Sequence, residues 1–456
     1  MLCTGTSARL LHGRDQMPAG RHVLHVWVSL PSRLVALTAC AFLAGGTVAV
    51  AGCDPGGRGE WAGTEYDSVG VRVVANPLVA LWTRSTAWRV ERDLTIGTDT
   101  GLPEYEFGRV VDVDVGRDGM IYALDQMSAQ VRVFDLRGEH LFSFGGLGEG
   151  PGELSNHDPL GALAVLADSG GDLLVVDRVN NRLNRFTGDG EFLGYVDLGV
   201  QSGEVEPIAS GILPNGDYLV HRVVRDRWNG ILRVDPHEGP TLDTLLAFSL
   251  QPSAWGLTRR NEQGRTEALM HSPLWSILPD GRLVAGRSDQ SSFQVWGPDK
   301  RLKMVVRRHE PNPVLSESGQ ERYLDRLMEI WETMFRDEGE SEEWIAQQVR
   351  RGRQVYIPPV RLPAVTGFAG GPEGTIWVRT ARPVELMTSH VLYARPPVRE
   401  FWSRNWEVFS ADGRLLGTVV LPPRFTLFRI RGDYIYGVEE DDFDVQRVVR
   451  LRLQTH

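Results

Sequence analysis

The chain of 456 residues has little lysine and hardly any cysteine. Only Lys300 and Lys303 among its 49 cationic residues are lysine, which reads as compositional bias and points to no function. Cysteine occurs at Cys3, Cys40 and Cys53 and nowhere in residues 54–456. That excludes a disulfide framework, a cysteine-ligated metal and a cysteine nucleophile from the larger part of the chain. An excess of positive charge is also missing, since the net charge is −10. Binding to a phosphate backbone depends on Lys/Arg contacts that release counterions, so nucleic acid is not an expected partner.

What is present begins with a targeting segment. Arg21 and Arg33 precede the apolar run LVALTACAFLAGGTVAVAG (34–52), which leads through Val50-Ala51-Gly52 straight into Cys53. This resembles the lipobox of bacterial lipoproteins, which implies cleavage before Cys53 and a diacylated cysteine at the mature N-terminus. An uncleaved anchor is the competing reading, because the run is nearly long enough to span a bilayer. The stretch before Met17 is long for a signal, so translation is expected to start at Met17 or later. Residues 1–52 carry four Arg against one Asp, so the chain beyond them is more acidic still, at −13. Asp54 resembles an inner-membrane retention signal of some diderm bacteria. The expected address is the cell envelope, lipid-anchored and extracytoplasmic. The expected division is a signal peptide at 1–52, a flexible tether at 53–66 and one domain at 67–456.

Past the tether, a tight glycine turn feeding an apolar strand recurs six times: RDGMIYALD, SGGDLLVVD, PNGDYLV, PDGRLVAG, PEGTIWV and RGDYIYGV. Their glycines, Gly119, Gly171, Gly216, Gly281, Gly374 and Gly432, are 52, 45, 65, 93 and 58 residues apart. A second hairpin follows in each unit, as in LNRFTGDGEFLGYV, so each unit holds four strands. In the longest gap the period turns helical from Glu317 to Arg353, with Leu324, Leu327, Met328, Trp331 and Phe335 on one face. A second helix is expected to start near Ser341. Repeats of this kind predict an all-β, six-bladed β-propeller with four-stranded blades and a two-helix insertion (317–353) between blades four and five. The last unit has only three strands before His456, so the ring is expected to close with an N-terminal strand from Ala87–Gly97.

The stretch FGGLGEGPGEL (144–154) looks like a phosphate-cradling loop, but no GxGxxG fits it and a strand follows instead of a helix. It echoes IGTDTGLPEYEF (96–107), and both are read as connectors from an outer strand to the next inner strand. Together with Asp177-Arg178-Val179-Asn180-Asn181-Arg182-Leu183, Phe186 and Gly190, it resembles the NHL-type repeat of six-bladed propellers. Blade one fits more loosely, with Asp125 and Arg132, while Arg222 and Arg287 stand where later blades would have Asp. The insert followed by IPPVRLPAVTGFAGGPEGTIWV, with DSVGVRVVANP near the start, also resembles a group of bacterial six-bladed propeller lipoproteins. The resemblance covers about residues 67–454. It implies the fold and leaves the chemistry open, because propellers host lyases, lactonases, receptors and scaffolds alike.

Candidate site residues are few. His157 and His271 share an H-x-P-L pattern before an innermost strand, and Arg361 holds the similar place before Pro363. These are rim positions with either hydrogen-bonding or metal-binding roles, and catalytic zinc needs about three protein ligands. Asp112 and Asp114, two apart on blade one's inner strand, share a face, as an acid/base pair, calcium ligands or a channel lining would require. Trp255, Trp275, Trp402 and Trp406 offer either a binding platform or packing for the insert. The acidic run EEDDFD (439–444) reads as a solvated hairpin tip. No cofactor is expected, with calcium or zinc as the exception to test. The leading expectation is a monomeric, membrane-anchored binding or scaffold module for a protein, peptide or glycan partner. The alternative is a channel-mouth enzyme of hydrolase, lyase or lactonase type.

Overall fold

Six four-stranded antiparallel sheets account for the repeats. The structure is a computed structural model that describes residues 60–155, 162–198, 205–224, 228–248, 264–267, 271, 273–309, 314–337, 339–386 and 402–455. The innermost strands are Val110–Val115, Ala162–Ala167, Val205–Ile212, Pro273–Ile277, Val365–Gly370 and Phe425–Arg431. Each touches the innermost strand of the next sheet, and the last touches the first, so the sheets close into a ring. The glycines of the six repeat turns all adopt positive φ, from 54° at Gly432 to 96° at Gly171. That backbone suits glycine because it has no Cβ to clash.

Strand alternation sends each blade's apolar residues to both of its neighbours, so the core is divided among the six seams. Blades one and two share Tyr122, Val131, Phe144, Val175 and Phe186. Blades four and five share Val284, Phe293, Phe368 and Phe409. Fully burying one such side chain is worth about 1.5–3 kcal/mol, and every seam holds several.

Blade six takes its outermost strand from the N-terminal side, as expected. Arg89–Ile96 pairs antiparallel with Gln446–Gln454, from Arg89 opposite Gln454 to Ile96 opposite Val448. The chain before it is also structured, which the sequence reading missed. Thr64–Ser68 and Val71–Ala75 form a hairpin that extends blade four to six strands, with Val71–Ala75 parallel to Leu302–Arg307. Leu81 and Trp82 donate backbone N–H groups to Leu415 and Leu416 on blade five's outer strand. Residues 64–96 therefore form a belt around the outer edges of blades four, five and six. The proposed tether boundary at 66 needs correction, because Thr64 to Tyr66 lie in a strand and Trp61 packs on the seam core of blades four and five.

The insert folds as α1 (Glu317–Asp337) and α2 (Glu342–Val355). Ser341 caps α2, its hydroxyl accepting the Trp344 N–H at 3.3 Å. Gly352 lets the helices approach, since a Cβ there would lie 2.9 Å from Met328 Sδ and 3.0 Å from the Trp331 ring. Tyr323, Leu327, Met328 and Ile330 pack on Leu362, Val384 and Ala381, all in blade five or its approach. Among the described residues, no helix is long and apolar enough to cross a membrane. The expected lipobox at 50–53, with Cys53, lies outside the described residues.

Candidate functional site

Inner strands of neighbouring blades run parallel, because each departs from the side where chain segments connect one blade to the next. Residues two apart on one strand therefore face residues two apart on its neighbour. Arg429 Nη2 donates to Asp112 Oδ2 at 2.8 Å, and Arg431 Nη2 donates to both Asp114 oxygens at 2.9 and 3.1 Å. Arg429 Nε also lies 3.6 Å from Asp114 Oδ1. From blade two, the Val165 N–H donates to Asp112 Oδ2 at 3.1 Å and the Ala167 N–H to Asp114 Oδ2 at 3.0 Å. The remaining oxygens accept the Val113 and Val115 N–H groups, each at 2.9 Å.

An innermost strand has one edge without a strand partner, so its buried N–H groups need other acceptors. The two carboxylates supply them, joining blades six, one and two along the channel wall. All four oxygens accept hydrogen bonds within the protein, so the pair ties three blades together. Among the described residues, no group of three or more His, Cys, Asp or Glu is placed to hold a metal ion. Burial pushes Asp112 up to about 7, helped by the nearby Asp114 carboxylate and opposed by Arg429 and the Val113 and Val165 N–H groups. Burial disfavours the Arg429 charge, yet Asp112 and Asp114 hold its guanidinium above the usual value.

The rim histidines are placed only in part, since His157 lies outside the described residues. His271 Nε2 lies 3.0 Å from the Arg361 carbonyl oxygen, which can only accept, so this nitrogen carries the proton. His271 Nδ1 lies 3.3 Å from Ser288 Oγ and is thereby free to accept from that hydroxyl. Next to them the Arg287 guanidinium forms a two-point pair with Asp289 at 2.8 and 2.9 Å. His271 and Arg361 thus do meet, through the Arg361 backbone, while its side chain is exposed. Ser288 is fully buried, so the Ser–His contact cannot present a nucleophile to solvent in this state.

The Asp/Arg pair repeated in blades one and two has a legible task. Asp125 accepts the Gly108 and Arg109 N–H groups at 3.1 and 2.8 Å, and Arg132 donates to Asp125, Pro103 O and Glu106 O at 2.7–2.9 Å. In blade two, Asp177 accepts from the Ser155 hydroxyl at 2.6 Å and Arg182 donates to the carbonyls of Glu149, Gly150 and Glu153. The guanidinium latches the connector that delivers the chain to the inner strand. The glycine-rich stretch at 144–154 is held by its carbonyls, the opposite polarity from a phosphate cradle.

Among the described residues, Trp275, Trp402 and Trp406 do not form a shared platform, since Trp275 and Trp406 belong to different seams. Trp275 and Trp406 lie buried within strands, at the seams of blades three with four and five with six. Trp402 carries the Arg379 guanidinium 3.5 Å over its ring. None of these three is among the side chains packed with the insert's buried face; Trp255 lies outside the described residues. In the acidic run, Asp441 accepts the Phe443 and Val445 N–H groups and pairs with Arg447 at 2.8 Å, which organises the tip.

The two faces of the ring differ in what they expose. The connector face carries the blade-to-blade segments and the loops between second and third strands. On it, Leu102, Met127, Leu147, Val314, Val360 and Leu386 are each 60–64% exposed, and Phe443 is 89% exposed. Among the large apolar residues described as exposed, Leu136 and Val69 lie in turns on the opposite, hairpin side; the turn at 68–71 opens a strand parallel to Leu302–Arg307 and so stands beside that strand's start.

No family model and no curated protein matches the chain. Among solved structures it is similar to a member of the DUF4221 family from Bacteroides vulgatus, with 11% identity, a TM-score of 0.49 and coverage of 81% of this chain and 99% of that one. It is also similar to a protein described as exported from Bacteroides fragilis, at 11% identity and a TM-score of 0.46 over 84% and 99% of the two chains. The virginiamycin B lyase of Staphylococcus aureus aligns at 10% identity and a TM-score of 0.40, over 81% of this chain and all (100%) of that chain. At this distance the likeness is one of fold and says nothing about substrate or site.

Proposed function

We propose that the chain is an envelope lipoprotein whose propeller binds a protein, peptide or glycan partner on its connector face. The observation that carries this reading is the apolar asymmetry between the faces. Seven well-exposed large apolar side chains sit on connector-face segments, against Leu136 and Val69 in turns on the hairpin side. Scattered exposed apolar residues are ordinary, but their segregation to one face marks an interaction surface. The insert adds to that face, because it packs on Leu362 and Val384 beside the start of blade five's inner strand.

Pull-down from detergent-solubilised envelopes tests the proposal. The intact lipoprotein should retain a partner that Leu147→Asp and Phe443→Asp lose and that Leu136→Asp keeps. Equal loss from the hairpin-face variant would refute it. A second reading, an enzyme at the channel mouth, draws on the cluster of His271, Ser288, Arg287 and Asp289. It requires Ser288 to become accessible.

A further inference from the structure

We propose that the outer wall of blade four, with the belt hairpin added to it, is the surface this protein lays against an anionic lipid bilayer. The proposal rests on the reading of Cys53 as lipidated. Seven residues (54–60) separate Cys53 from Trp61, and the eight steps between the two span at most about 29 Å when fully extended. Trp61 is fixed on the wall. Its ring packs on the seam of blades four and five, its Nε1 donates to Asn76 Oδ1 at 3.2 Å, and the Arg414 guanidinium lies 5.0 Å from its ring centre. A lipid at Cys53 therefore keeps this wall close to the membrane.

The chemistry of the wall fits a lipid surface independently of the anchor. Both of the chain's lysines, Lys300 and Lys303, lie there, with Arg72, Arg301, Arg307 and Arg414. The acidic neighbours are fewer and mostly engaged. Glu65 pairs with Arg72 and Arg414 at 2.8 and 2.9 Å, Asp299 with Lys303 at 2.6 Å, and Asp67 caps its own turn by accepting the Gly70 N–H. With Asp412 and with Glu60, next to Trp61, they make five anions against six cations, in a chain whose net charge is −10. Apolar side chains stand among them: Tyr66 is 43%, Leu78 67%, Val79 76% and Val69 fully (100%) exposed. Arg307 lies over the Tyr66 ring at 5.9 Å. Cations that meet lipid phosphates, beside apolar groups that enter the headgroup boundary, are the two components of interfacial binding.

The test uses the full lipidated chain in phosphatidylcholine vesicles with and without phosphatidylglycerol. Residues 54–456 lack cysteine, so Val69→Cys and Phe443→Cys each give a single labelling site for an environment-sensitive fluorophore. Nitroxide-labelled lipid should quench the label at 69 several-fold more than the label at 443. Lys300→Glu with Arg301→Glu should weaken that quenching in the phosphatidylglycerol vesicles. Equal quenching at both sites, or stronger quenching at 443, overturns the proposal. The mass of the Cys53 peptide reports separately on the anchor. If it carries no lipid, the label at 69 on chain with Cys3, Cys40 and Cys53 replaced by serine, added to phosphatidylglycerol vesicles, decides: quenching at 69 supports the wall, and its absence overturns it.

Discussion

Asp112 combines deep burial with a full set of donors, and its proton makes the channel wall sensitive to pH. Unfolded, the group titrates near 3.8; folded, it is pushed up to about 7. Between those values the folded chain binds more protons than the unfolded one. The stabilisation is complete below about pH 4 and is lost as pH rises through 7, at up to roughly 1.4 kcal/mol per pH unit. Carboxylates held low act elsewhere: Asp299, lowered by Lys303, and Asp441, lowered by Arg447, change stability only below the ordinary aspartate range. Thermal melts from pH 5 to 8 should therefore show a falling Tm in the parent and a flatter profile in Asp112→Asn. A variant that keeps the parent's slope would contradict this assignment. The sequence showed both aspartates on one face but not their partners. The signal was there, in Arg429 and Arg431 spaced two apart on an inner strand, yet only ring closure makes the strand at 425–431 adjacent to the strand at 110–115.

The belt is the element the sequence reading under-called. TEYDS and VRVVA are short strands joined by a single glycine turn at Gly70, with no second hairpin after it to mark a blade. Their partner, Leu302–Arg307, lies more than two hundred residues away. Asn76 secures the belt: its side chain accepts from Trp61 Nε1 and the Leu415 N–H and donates to Arg307 O and Gly413 O. Asn76→Ala should cost roughly 2–4 kcal/mol, because each buried partner left unsatisfied costs about 1–3 kcal/mol. Deletion of residues 54–59 should leave the melt unchanged. Deletion to 75 should lower it, and deletion to 97 should unfold the domain by stripping blade six of its outer strand. A chain starting at 98 that melts like the parent would refute the closure. The helices were readable because an amphipathic stripe is local, whereas the surface they cover, Leu362 and Val384, belongs to another segment.

For the whole molecule, the ring was legible from turn spacing alone, since each blade repeats one hairpin grammar and the helical gap explains the single outlier. Site chemistry was less legible: residue types at a rim do not reveal which lone pairs the backbone has already taken. Asp112, Asp114 and His271 each turned out to hold backbone or neighbouring side chains. The account's claim is that this propeller works through its connector face. Site-specific photo-crosslinking in living cells tests it directly, with the crosslinker placed at Met127, Leu147 or Phe443 on that face and at Leu136 on the other. The account predicts one discrete adduct shared by the three connector-face positions and none from Leu136. An adduct from Leu136 alone would contradict it.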